Sequence, residues 1–291
     1  MPRPMACPTT GRRITDVRGP RMSDTLQHCA ARYALAICGA LLAPQCAFAQ
    51  QAAAAAAPVQ TAKQAALIDL TGYWVSIVDE DWRWRMLTPP VGDVASIPVS
   101  DEGLRVAKLW DPSKDQADGA ACKAYGAAGL MRLPTRLHIH WADEDTLEID
   151  TDAGLQQRLL HFKGQWDGKP ALQGFSAASW FKQVQQTGFD TPFGGPAPGK
   201  GGSLKIITTH MTAGYLRTNG VPYGADATLI EYFDRIEDEG DSYLILTSVV
   251  DDPTYLKDRY LTSYEFKLEP NASKWHPQAC RIVPPARSTA R

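Results

Sequence analysis

The sequence predicts a mainly β domain, an antiparallel barrel of about nine or ten strands with a helical insertion near residues 100–128. Three observations predict it. Short runs rich in β-branched and aromatic residues recur from Tyr73 to Leu268, separated by Gly, Pro and Asp. Several of these runs alternate apolar and polar residues with a period of two. Only Ser100–Asp111 carries a strong helical signal.

The chain opens with Arg12, Arg13, Arg18 and Arg21, and Met22 offers an alternative start. Arg32 then leads into the apolar run 33–43, and Ala47-Phe48-Ala49 is a small-x-small site. Together these read as a secretory signal peptide over residues 1–49, cleaved before Gln50. The run is too short to cross a bilayer, which takes about 20 apolar residues. Cys38 and Cys46 follow Ile37 and Gln45, not the small residue that lipid attachment requires. Residues 50–66, rich in Ala and Gln, read as a flexible tether, and 67–291 as one barrel domain. The location expected is periplasmic or secreted, with no membrane span.

The expected strands run 73–78, 82–87, 135–141, 146–151, 155–162 and 172–181, then 203–211, 227–236, 243–250 and 261–268. In the helix, Ser100 is the cap, Asp101 and Glu102 occupy the first turn, and Leu104, Ala107 and Leu109 recur. A second helix is expected around 117–128, and Thr191–Gly202 is a Gly/Pro-rich surface loop.

Two strands can be aligned by their faces. Leu137, Ile139 and Trp141 alternate with Arg136, His138 and His140; Leu147 and Ile149 alternate with Glu148, Asp150 and Asp152. Matching the apolar faces sets His140 beside Glu148, His138 beside Asp150, and Arg136 beside Asp152. After the turn at Asp152-Ala153-Gly154, the next strand is expected to bring Gln156 and Arg158 to the same polar face.

Removing the leader takes six Arg and two Asp from totals of 30 and 32, leaving 24 basic and 30 acidic groups, net −6. There is no basic stripe, so nucleic acid is not an expected partner. Of six cysteines only Cys122 and Cys280 lie outside the leader, an even pair suited to a disulfide in an oxidising compartment. No serine-hydrolase elbow, phosphate loop or dinucleotide fingerprint occurs; Gly194–Gly202 is glycine-rich but lacks the spacing of a phosphate loop.

Asp69-Leu70-Thr71-Gly72-Tyr73-Trp74 carries a G-x-W that resembles the opening of lipocalin-like barrels, where the Trp packs across the closed end. Further stretches are 80–86, Met131-Arg132-Leu133-Pro134, Thr151-Asp152-Ala153-Gly154 with Arg158 and His161, 214–223, and Asp251-Asp252-Pro253. Through them nearly all of 67–291 resembles a group of uncharacterised exported proteins from proteobacteria. The resemblance implies a lipocalin-like, calycin-type barrel and carries no activity. The insertion at 88–134 departs from the lipocalin pattern.

The candidate catalytic residues are His138, Asp150, Asp152, Arg158 and His161. A His beside a carboxylate has its tautomer fixed and its basicity raised, and an Arg can steady a developing anion. The same polar face can equally be a solvated outer surface. His161 follows Leu159 on the expected apolar face, so it is either a satisfied core histidine or a buried catalytic one. His138 and His140, pointing the same way, are weak metal candidates with Asp150 or Glu148; His210 and His276 are too far along the chain to assign. Trp74, Trp82, Trp84, Tyr215 and Tyr223 are candidate ligand-binding aromatics, with Trp180 beside them. Arg83 and Arg85 could hold an anionic group or pair with Asp79 and Asp81 at the surface.

These features point first to a cofactor-independent enzyme of lyase, isomerase or hydrolase type. It would act on a small hydrophobic or aromatic molecule in the barrel cavity. The alternative is a non-catalytic binding protein for such a molecule, and a bore filled with side chains would favour an interaction module.

Overall fold

The computed structural model of the protein describes residues 59–181 and 203–285. The leader, the start of the tether and the loop Thr191–Gly202 lie outside the described residues. The strands are β1 (Gly72–Ile77), β2 (Arg136–Trp141), β3 (Thr146–Thr151), β4 (Ala153–Gly154), β5 (Gln156–His161), β6 (Phe175–Phe181) and β7 (Ser203–Thr209). They continue with β8 (Gly214–Tyr215), β9 (Pro222–Tyr223), β10 (Thr228–Asp238), β11 (Asp241–Asp251), β12 (Tyr260–Glu269) and β13 (Gln278–Ala279).

Nine of these close a barrel in the order β1-β12-β11-β10-β7-β6-β5-β3-β2. The expected barrel is therefore present, but it is not antiparallel throughout. A closed ring in which every neighbour runs oppositely needs an even number of strands, so nine strands force at least one parallel contact. Here it is β5 against β6. A parallel pair cannot be joined by a tight hairpin, and the chain uses residues 162–174 to cross over.

Inward residues fill the bore. Trp74, Leu137, Ile139, Leu147, Ile149, Phe233, Leu246 and Phe266 belong to one buried cluster. Trp74 lies at one end, donating its indole N–H to Leu70 O at 2.9 Å, with the Arg235 guanidinium over its ring at 5.8 Å. The insertion and the connections after β7 and β11 pack against the other end. A second buried cluster there joins Ala107 and Ala127 to Leu229, Val250 and Tyr260.

The helices are α1 (Trp82–Arg85), α2 (Asp101–Lys108), α3 (Pro112–Ala117) and α4 (Ala127–Leu130). Residues 82–87 are thus not the expected strand. Asp81 takes a left-handed φ of 52° and its carbonyl accepts from Trp84 N and Arg85 N, closing a helical turn. The turn swings Arg85 inward, to 5% exposure, and leaves Trp82 58% exposed. In α2, Ser100 Oγ accepts from Gly103 N at 3.0 Å, the expected cap. In place of the second expected helix, α3 ends at Ala117 and a 3-10 turn at Ala121–Tyr125 and α4 follow, separated by Gly119 and by the extended Gly126. A Cys122–Cys280 disulfide ties this region to the C-terminal tail.

Residues 61–66, assigned to the tether by composition, lie against the β2–β3 turn. Ala62 N donates to Asp145 Oδ1, Lys63 N to Glu144 O, and Trp180 Nε1 to Ala62 O. Among the described residues no helix is long and apolar enough to cross a membrane.

Candidate functional site

The β2–β3 register is the one the alternation predicts: His138 opposes Asp150, Ile139 opposes Ile149, and His140 opposes Glu148. Leu137, Ile139, Leu147 and Ile149 turn into the bore, which forces the intervening polar residues outward. The outer face therefore carries a ladder. Arg136 Nη1 lies 2.9 Å from Asp152 Oδ2, His138 Nδ1 lies 3.6 Å from Asp150 Oδ2, and His140 Nε2 lies 3.8 Å from Glu148 Oε2. His140 Nδ1 is also 3.8 Å from Asp150 Oδ2.

Arg158 is not on this ladder. Gly154 and Leu155 both have positive φ, 79° and 53°, and the turn they make sets Arg158 opposite Ile149 and Leu160 opposite Leu147. The parity of β5 is thereby the reverse of that expected. Gln157 and Leu159 face outward, whereas Arg158 enters the bore and bonds Glu231 at 2.6 and 3.2 Å. His161 shares the outer face with Leu159, half-buried and stacked on Phe175 at 5.2 Å between ring centres; it is not a core histidine. Asp152 is buried and spent on structure, accepting from Thr135 Oγ1, Arg136 N and Arg136 Nη1. The structure thus brings His138, His140 and Asp150 together, with Asp152 on the neighbouring rung, and separates Arg158 and His161 from them.

The candidate aromatics do not line a common cavity. Trp74 is a core residue at the barrel end, and Trp82 is exposed on α1. Trp84 donates to Asp93 Oδ2 at 3.1 Å beneath the Arg217 guanidinium. Tyr215 donates to Asp115 Oδ2 at 2.7 Å, and burial followed by that carboxylate pushes its phenol strongly up. Tyr223 is fully buried, its hydroxyl without a partner among the described residues and its phenol likewise pushed up by burial.

A cleft of about 480 Å³ lies outside the bore. Its floor is the Arg136–Asp152 rung. One wall is Arg85–Thr88 with Leu133 and Pro134; the other is the tail from His276 to Pro284. The tail is fixed by β13 pairing with β4, by Gln278 N donating to Asp152 O at 2.7 Å, and by the disulfide. Tyr125 closes the cleft between the walls. Gly154 is required beside it: φ is 79°, and a Cβ there would stand 2.3 Å from the Tyr125 ring.

The cleft is cationic. Among the described residues, Arg85, Arg136 and Arg281 line it against a single carboxylate, Asp152, which Arg136 already engages. Among the described residues Arg85 donates to neutral acceptors alone, Arg132 O, Ile77 O and Ser76 Oγ. Burial, with the Arg132 charge adding to it, lowers the Arg85 pKa. Behind it Arg132 and Arg217 are also buried. Arg132 reaches Tyr260 Oη at 2.8 Å and Asp81 at 3.1 Å, and two of the Arg217 guanidinium nitrogens have no partner among the described residues.

Reading the sequence alone missed His276, Arg281 and Tyr125 as neighbours of one site. One signal could have found them. A Cys122–Cys280 bond necessarily lays 276–284 beside 120–126, and both segments carry polar side chains.

Comparison of the chain with family models, with curated proteins and with solved structures finds no match.

Proposed function

We propose that this protein binds a small amphipathic organic anion, a carboxylate or phosphate on an apolar body, in the cleft between its insertion and its C-terminal tail. The observation that carries this reading is the excess of guanidinium over carboxylate in a cleft otherwise walled by Met86, Leu87, Leu133, Val283 and the Tyr125 ring. Its volume lies within the usual range for small-molecule sites, about 300–1,000 Å³. Guanidiniums in excess over carboxylates favour carboxylate and phosphate groups, which they bind through paired N–H donors.

The dispersal of Arg158 and His161 away from His138 weighs against acid–base catalysis by the full set of residues, so capture is preferred to turnover. The side chains that fill the bore weigh against a ligand in the barrel cavity and are the feature expected of an interaction module; the cleft on the flank is what favours small-molecule capture over that reading. Export is part of the proposal, and the Cys122–Cys280 bond fits an oxidising compartment.

The test is titration with 1-anilinonaphthalene-8-sulfonate, an aromatic sulfonate whose emission rises in apolar sites. One equivalent is expected to bind, with affinity falling as NaCl is raised. Arg281→Glu, at an exposed position on the tail wall, is expected to weaken binding at least tenfold. Equal binding by wild type and Arg281→Glu across the salt series would sink the proposal.

A further inference from the structure

We infer that His138, His140 and Asp150 form a site for a divalent transition-metal ion on the outer face of β2 and β3. The donor atoms of the three residues lie within 4.8 Å of one another. His138 Nδ1 and His140 Nδ1 stand 3.6 and 3.8 Å from the same Asp150 Oδ2. These separations are too long for hydrogen bonds. They are close to what one ion requires, since two ligands each ~2.1 Å from a tetrahedral centre lie about 3.4 Å apart. His140 Nδ1 is a buried atom without a hydrogen-bond partner among the described residues, so it is left with an unused lone pair or proton on the side facing Asp150.

The surroundings hold the imidazoles in place. His138 stacks between Tyr73, at 4.3 Å, and His140, at 4.6 Å, with Trp275 of the tail edge-on at 6.3 Å. Rings ordered before binding lose less entropy when an ion arrives. On the far side of His140, Nε2 faces Glu148 Oε2 at 3.8 Å. A carboxylate behind the second nitrogen of a ligating histidine is the usual outer partner of such a ligand. Glu148 is itself fixed by Gln157 Nε2, which donates to its other oxygen.

Two imidazoles and a carboxylate suit Zn²⁺ and its first-row neighbours better than Ca²⁺ or Mg²⁺, which take oxygen ligands. Three protein ligands leave a coordination position for water. That is the ligand count of catalytic zinc centres rather than of closed structural ones. The site is distinct from the cleft and does not depend on what the cleft binds.

The experiment is calorimetric titration of the untagged full chain with ZnCl₂, run beside His138→Ala/His140→Ala and, separately, Asp150→Asn. All three substitutions lie on the half-exposed outer face, and circular dichroism confirms that each variant is folded. Wild type is expected to take up one equivalent more than the double variant, with micromolar or tighter affinity. Asp150→Asn is expected to weaken that equivalent at least tenfold, and Glu148→Gln by about tenfold. Equal stoichiometry and affinity in wild type and the double variant overturn the site, as does wild-type binding weaker than about 1 mM.

Discussion

Removing either member of the Arg158–Glu231 pair is expected to cost more than any surface change in this protein. The two side chains are 0% and 1% exposed, and the guanidinium bonds the carboxylate twice and Thr208 Oγ1 once, at 3.3 Å. Thr208 is bonded in turn to Ser176 Oγ at 2.8 Å, so four polar groups share one arrangement inside the bore. Glu231→Leu leaves a guanidinium in an apolar interior, and Arg158→Met leaves a carboxylate. A stranded buried charge costs about 3–5 kcal/mol. With a denaturant slope of ~2–3 kcal/mol/M in urea, each single variant should unfold about 1–2.5 M earlier than wild type. Arg158→Met/Glu231→Leu replaces both charges with apolar groups and should recover most of the loss. Urea unfolding followed by tryptophan fluorescence completes the double-mutant cycle. Single variants within ~0.3 M of wild type, or a double variant as unstable as the two losses summed, would refute this reasoning.

Two further outcomes follow from the structure. The disulfide closes a loop with a sequence separation of 158, for which the chain-entropy model gives up to about 5 kcal/mol. Reduced wild type and Cys122→Ser/Cys280→Ser should therefore unfold at a common, lower urea concentration, and unchanged midpoints would refute the contribution. The Glu265 carboxyl is raised above its ordinary value by burial and then by Asp79 and Glu80. A carboxyl with a raised folded pKa favours the fold below its unfolded value of 4.5 and loses that advantage as pH rises through the folded value. Glu265→Gln should thus gain stability relative to wild type between pH 4 and pH 7. The gain should stay under ~1 kcal/mol because the group is partly exposed, and thermal melts at the two pH values measure it.

The hairpin of β2 and β3 was legible because both strands bury one face and solvate the other; a slip of one residue would have driven His138 and His140 into the core. Arg158 was not legible for a related reason. Its strand alternates too, but Leu155 in a left-handed conformation resets which residues face inward, and a leucine at positive φ is not foreseeable from composition. The same limitation applies at Trp82–Arg85. Four residues alternating Trp and Arg suit a strand, and only the contacts of Arg85 with Ser76 and Arg132, remote in sequence, make them a helical turn. The cleft was hidden because its walls come from three separated segments. Only the cysteine pair connected two of them in advance.

The tail that forms one wall of the cleft is synthesised after every strand of the barrel. A nascent chain can close the ring from β1 to β12 while the cleft still has one side. Completion waits for three later events: emergence of His276–Pro284, docking of β13 beside β4, and oxidation of Cys280 onto Cys122. Closure of the barrel and completion of the cleft are therefore separate milestones in the life of this chain, and the cleft comes last.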